Sequence, residues 1–196
     1  PVYLFLSHFH IDHLEGLHTL AKFHFKALHI LGQTGTKATI KEFLAPKYSI
    51  PSDKLPYACS VIDIKAGWHS MPFRFRALPL VHASKCFGYR FEIDGKIVSY
   101  CTDTGYCHNS VELSRHADLL ISECAFLGGQ QSDVWPHMNP QLAAKLAVES
   151  EANRLALTHF DAALYTTLAK REKAQMQARK IFPEAFSAYD GLTIKI

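Results

Sequence analysis

VYLFLSHFHIDH, residues 2–13, runs from an apolar segment straight into three histidines and an aspartate. Val2 to Leu6 predict a short buried strand. His8 and His10 are two residues apart, so on extended backbone their side chains project from one face. Asp12 and His13 fall at the start of a following helix, predicted over residues 12–23, with Asp12 and Glu15 spaced as a capping box. Two imidazoles from the strand end and an Asp/His pair from the helix can serve two different metal ions. Nitrogen and oxygen donors without thiolate suit Zn²⁺, with Mn²⁺ or Fe²⁺ as alternatives. The bland reading makes Asp12 a helix cap and the histidines incidental in a chain that has 12 of them. So compact an H-x-H-x-D-H pattern favours ligands.

The rest of the composition is ordinary. A chain of 196 residues with 48% hydrophobic and 20% charged residues predicts one soluble globular domain over 1–196. No apolar run approaches the roughly 20 residues of a membrane span, and the first segment lacks the marks of a signal peptide. Five cysteines with no C-x-x-C pair point to a reducing compartment, the cytoplasm, rather than a disulfide framework. A net charge of +3 permits a polyanionic substrate without demanding one.

Working outward, KALHILG (26–32) predicts a strand and GTKATIKEFLA (35–45) a helix closed by Pro46, with residues 47–60 irregular. SVIDIKAG, FRFRALPLVH, FGYRFEI and KIVSYCTD then read as successive strands, Asp94-Gly95 forming a tight hairpin turn between the last two. ADLLISECAF is a further buried strand. Asn139-Pro140 opens a strong helix, Asn as cap and Pro in the first turn. RLALTHF predicts a strand, LAKREKAQMQARKIF a basic amphipathic helix, and GLTIKI (191–196) a closing strand. Strands and helices interleaved in this way predict an α/β protein with mixed sheets.

Three of the later strands stop on a ligand-type residue: ALPLVHAS at His82, SYCTDTG at Asp103 and LALTHFD at His159. Each alone could be a polar loop or turn residue. Three together complement the opening cluster.

HFHIDH followed by these sites resembles the metallo-β-lactamase superfamily of binuclear hydrolases, over nearly the whole chain. The resemblance implies a four-layer αβ/βα sandwich with mixed sheets, the metals at one edge, and AYDGLTIKI (188–196) as its closing strand. It implies two divalent ions, Zn²⁺ first among them: one held by His8, His10 and His82, the other by Asp12, His13 and His159, with Asp103 bridging. His10 stands where the flavo-diiron oxygen reductases have Glu, which points away from redox chemistry. The superfamily has several strands before its first histidine motif, so N-terminal strands are expected to be missing from this chain.

Residues 78–105 and 137–161 look like the phosphodiesterase branch that includes ribonuclease Z. That branch carries an additional histidine at a helix start, matched here by His137, which would protonate the leaving oxygen with Glu123 orienting it. Asp12, His137 and Glu123 are thus the expected catalytic side chains, acting with a metal-bridging hydroxide. Lys85 follows His82 closely enough to reach a phosphate, although a lysine beside a loop is usually just solvated. Ribonuclease Z has a long tRNA-gripping arm, typically between the ligands matching His82 and Asp103, and here hairpin strands fill that interval. The expected substrate is therefore a small or nucleotide-type phosphodiester. RNA and a homodimer remain compatible with this reading, and no membrane partner is expected. Two rival readings use the same residues: a thioester or lactone hydrolase of the glyoxalase II type, and a non-catalytic binding protein in nucleic-acid processing. Cys86, Cys101 and Cys107 read as small buried hydrophobes. His18, His24, His29, His69, His108 and His116 lack partners at ligand spacing.

Overall fold

A computed structural model describes all residues 1–196, which form two compact units, Pro1–Ala66 and Gly67–Ile196. In the first unit, β1 (Val2–Leu6), β2 (Ala27–Gln33) and β3 (Ala58–Ile64) pair in parallel in the order β1-β2-β3. Parallel pairing requires a crossover at each step. The first is supplied by α1 (Ile11–Leu14) and a 3-10 segment (Glu15–Lys22), the second by α2 (Thr36–Phe43). Leu28 and Ile30 of the middle strand pack with Leu6, Leu14, Leu17, Ile40 and Leu44 into one core.

Gly32 lies where β2 meets α2. A Cβ there would come within 2.5 Å of the Thr36 hydroxyl and 3.3 Å of Leu6 Cβ, so the close approach of helix and strand depends on glycine. The α2 N-terminus has no cap of its own. Asp63, near the end of β3, accepts from Gly35 N (3.3 Å) and Lys37 N (2.9 Å) and satisfies two otherwise orphaned donors.

Three expectations for this unit need correction. The helix expected over 12–23 is α-helical only for four residues and then tightens to 3-10. Within that segment Gly16 is a poor helix former, and the side chains of His18 and Thr19 bond to the carbonyls of Glu15 and Gly16, competing with the regular ladder. Nor does Asp12 form a capping box, because the cap position falls on His10 and Asp12 lies inside the first turn. The span expected to be irregular, 47–60, already includes the first residues of β3.

The second unit is built on a seven-stranded sheet. In chain order it comprises β4 (Gly67–Ser70), β5 (Arg74–Leu80), β6 (Cys86–Ile93), β7 (Lys96–Cys101), α3 (His108–Ser114), β8 (Leu119–Glu123), α4 (Pro140–Glu149), β9 (Leu155–Thr158), α5 (Leu168–Arg179) and β10 (Ala185–Ser187). The sheet order is β10-β9-β8-β7-β6-β5-β4, antiparallel from β4 to β7 and parallel from β7 to β10. Asp94 and Gly95 both adopt positive φ, as a two-residue hairpin turn requires. The hairpin they close, β6 and β7, fills the interval between His82 and Asp103. Asn139 accepts from Leu142 N at 2.9 Å and caps α4. Ala143, Ala144 and Ala147 of α4, with Ala174 and Ala178 of α5, pack among Leu113, Leu120, Leu146 and Leu155.

The short strand β4 and the helix α3 have no counterpart in the sequence expectations. The closing strand also differs. Ala185–Ser187 takes the edge beside β9, and Gly191 (φ 83°) turns the chain afterwards, so residues 191–196 form no ladder. Their alternating pattern expresses β propensity, which tertiary context overrides here. The seam of α5 is narrower than an amphipathic pattern suggests, with Ala174 and Ala178 buried while Leu168 and Met176 are exposed.

Asp118 ties β7 to the turn before β8. Its carboxylate accepts from Ile97 N (2.9 Å) and Lys96 Nζ (3.4 Å), and the backbone hydrogen bond above all holds its pKa below the usual carboxylate range. A depressed folded-state pKa stabilises the protein above the unfolded value and loses that contribution as pH falls through the folded one. In urea denaturation, Asp118→Asn is therefore expected to be less stable than the parent at neutral pH. The gap should narrow below about pH 4. A gap independent of pH would remove the charge from the explanation.

Candidate metal centre

In the first unit, β1 delivers His8 into full burial, and Ser7 Oγ lies 3.0 Å from His8 Nδ1, which holds the ring and leaves Nε2 as its other donor atom. His10 and His13 close around it, with ring centroids 4.4 and 4.3 Å from that of His8. The first turn of α1 supports this cluster: His13 N donates to His10 O at 3.1 Å, and His13 Nε2 lies 3.4 Å from the Asp12 carboxylate. Asp12 is the exposed member, its side chain 62% accessible. Three imidazoles this close repel one another when protonated. Neutral rings with lone pairs gathered around one another are what a divalent ion requires.

In the second unit the topology itself gathers the residues. β5, β7, β8 and β9 all run in the same direction, so the residues following their C-terminal ends share one edge of the sheet. His82, Asp103 and His159 each come one or two residues after such a strand, and Glu123 is the last residue of β8. Asp103 and His159 both adopt left-handed backbone (φ 56° and 49°), a conformation Asp and His tolerate better than most side chains. Such corners recur where a site over-determines the backbone. They turn the two side chains towards each other, with His159 Nε2 3.3 Å from Asp103 Oδ1. Ligand atoms of Asp103, His137 and His159 all lie within 4.8 Å of one another. The His82 ring is 5.3 Å from that of His137.

Glu123 and His137 form a buried pair beneath this edge. The His137 Nδ1–H donates to the carboxylate, at 2.8 and 2.9 Å to its two oxygens. Met138 N adds a bond of 3.1 Å, and Thr104 N donates to the other oxygen. Burial pushes the Glu123 carboxyl up, while the His137 and Thr104 donors pull against it. Burial pulls His137 down, but the hydrogen bond and charge of Glu123, together with the charges of Asp103 and Asp161, more than offset it and raise its pKa. With Nδ1 committed to Glu123, Nε2 is the nitrogen left to meet a ligand.

Two supporting residues carried no sequence signal. Thr104 is fully buried; its amide reaches Glu123, and its hydroxyl accepts from Val81 N and donates to Gly105 O. Trp135, two residues before His137, lies 5.5 Å from His82, ring to ring. Adjacency to His137 was the only available pointer. Two cavities reach the same edge. One of about 290 Å³ adjoins His137, with Tyr106, Gln131 and Asp133 in its wall, and one of about 270 Å³ adjoins His159, with Arg171 and Tyr189. The Lys85 ammonium lies 5.7 Å from the Phe87 ring.

All five cysteines are free. Cys86, Cys101 and Cys124 are buried, whereas Cys107 is only half-buried. Burial pushes the Cys101 and Cys124 thiols to about 11 and about 12, which makes them inert. Of the other histidines, His29 bonds Ser60 Oγ (2.7 Å), His69 stacks on Phe75, and His116 pairs with Glu151.

Comparison with known proteins agrees with this geometry. Residues 2–160 match the model of the beta-lactamase superfamily domain. The chain is 32% identical over 161 residues to the probable metallo-hydrolase YhfI of Bacillus subtilis, covering 79% of this chain and 64% of that protein. It is 36% identical over 106 residues to ribonuclease Z of a Nostoc species, covering 52% of this chain and 33% of that enzyme. The chain thus spans between a third and two thirds of the length of these relatives. Among solved structures, YhfI superposes with a TM-score of 0.79 at 24% identity, covering 97% of this chain and 75% of that one. The short form of human tRNase Z superposes with 0.75 at 23% identity, covering 99% and 78%. The chain belongs to the β-lactamase superfamily and has its α/β metallo-β-lactamase fold.

Proposed function

We propose that this chain is the catalytic part of a divalent-metal-dependent phosphodiesterase. The observation that carries the reading is the buried Glu123–His137 pair, set at the same sheet edge as His82, Asp103 and His159. Superfamily membership and the resemblance to ribonuclease Z support it. The donor set fits two ions of the zinc type: imidazoles, carboxylates and no thiolate. The residues that would hold them are His8, His10, Asp12 and His13 in the first unit and His82, Asp103 and His159 in the second. When bound, such a pair supplies a water of lowered pKa and neutralises charge on the phosphoryl group.

The remaining chemistry belongs to the chain. Hydrolysis leaves an alkoxide that needs a proton. His137 holds one on Nε2 because Glu123, acting through Nδ1, favours the imidazolium. After transfer the neutral ring keeps its Nδ1–H on Glu123, so the geometry survives the step and the ring can be reprotonated from water. Five free thiols suit a reducing compartment such as the cytoplasm. No helix is long and apolar enough to cross a membrane.

The test couples metal analysis to a hydrolysis panel of bis-p-nitrophenyl phosphate, a 2′,3′-cyclic nucleotide, S-lactoylglutathione and a lactone. About two ions per chain and turnover of the phosphodiesters are expected. Thioester or lactone turnover without phosphodiester turnover moves the assignment to that class. Metal well below one ion per chain overturns the binuclear centre.

A further inference from the structure

Trp135 sits in a polar loop between β8 and α4, beside the exposed Val134 and with 49% of its own surface in water. Its ring centroid lies 5.5 Å from that of the candidate ligand His82 and 6.4 Å from that of His137. Its backbone is held: Trp135 N donates to Ser132 Oγ at 3.1 Å, and Asn139 Nδ2 ties the loop by donating to Gln130 O at 2.9 Å. Core packing does not account for it. Phe126 already covers His137 from the protein side, 5.5 Å away, and the half-exposed indole adds little to the interior. Trp68, the second of the chain's two tryptophans, is in a different position, with the Arg74 guanidinium 3.8 Å from its ring.

We propose that Trp135 is a stacking platform for a nucleobase, so that the substrate is a nucleoside phosphodiester rather than a simple alkyl or sugar one. The proposal rests on the phosphodiesterase reading and names the substrate class of that site. Every base offers a π-face to a fixed aromatic ring, whatever its hydrogen-bonding edge. A platform beside His82 and His137 lies within one nucleoside of a phosphate held at the same edge. Trp135 touches the substrate's base and takes no part in bond breaking. It therefore determines binding and not proton transfer.

The test reads binding directly. In a zinc-loaded Trp68→Phe variant Trp135 is the sole fluorophore of its kind, and adenosine 5′-monophosphate is titrated against ribose 5-phosphate, which lacks the base. The nucleotide is expected to quench Trp135 fluorescence and to bind roughly 5- to 150-fold more tightly than the sugar phosphate. By isothermal titration calorimetry, which needs no fluorophore, Trp135→Ala should abolish that advantage with zinc content unchanged, and Trp135→Phe should keep most of it. Equal affinities, absence of quenching, or an advantage that survives in Trp135→Ala overturns the proposal. Loss of zinc in Trp135→Ala also overturns it, since the ring would then be a wall of the metal site. Turnover of bis-p-nitrophenyl phosphate by the same preparation reports on the phosphodiesterase reading separately.

Discussion

Asp103→Asn is expected to reduce bound metal from about two ions per chain to one or fewer, and to cut phosphodiester turnover by roughly 100-fold or more. The substitution removes one charge and leaves size and backbone nearly untouched. Asparagine tolerates the left-handed conformation that residue 103 adopts (φ 56°), whereas alanine there would add strain and confuse the result. The carboxylate is buried, 3.3 Å from His159 and with His137 close by, and burial of a charge this deep calls for a cation to balance it. An amide oxygen is a much poorer bridge between two ions. Elemental analysis of the dialysed protein, with circular dichroism to confirm folding, checks the outcome. Full retention of both ions would exclude Asp103 as the bridging ligand.

His137→Ala is expected to lower turnover by about 10²- to 10⁴-fold with metal content unchanged, provided the leaving group is an alkoxide. The leaving group separates the two roles open to this residue. His137 presents a nitrogen near Asp103 and His159 and could itself complete a metal site. A lost ligand would depress every substrate and reduce the metal content. A lost general acid would depress a 2′,3′-cyclic nucleotide, whose departing oxygen needs a proton. It would spare bis-p-nitrophenyl phosphate, whose p-nitrophenolate leaves unaided. Glu123→Gln should follow the same pattern with a smaller loss, roughly 10- to 100-fold. The glutamine keeps one acceptor for the buried donors of His137, Met138 and Thr104 but no longer favours the imidazolium.

Most of the candidate residues were legible because their signals are local. An apolar strand that stops on His, Asp or Glu is readable in a window of a few residues, and β1, β5, β7, β8 and β9 all carry that signature. The Asn139-Pro140 helix start and the Asp94-Gly95 turn are equally local, since capping and positive φ depend on nearest neighbours. Where the sequence reading failed, competition was the cause. In residues 15–22 side chains drew hydrogen bonds from the helix ladder, and at residues 191–196 an intrinsic strand pattern follows the Gly191 turn and forms no ladder.

The chain by itself offered the candidate ligands, some just after strand ends and Asp12 and His13 at a helix start, because residue type and backbone period are written locally. Only the tertiary structure decided that β5, β7, β8 and β9 bring their ends to one edge, that Glu123 is sealed against His137, and that Trp135 stands beside His82. Strand order and burial arise from contacts between residues far apart in the chain, and no short window of sequence contains both partners.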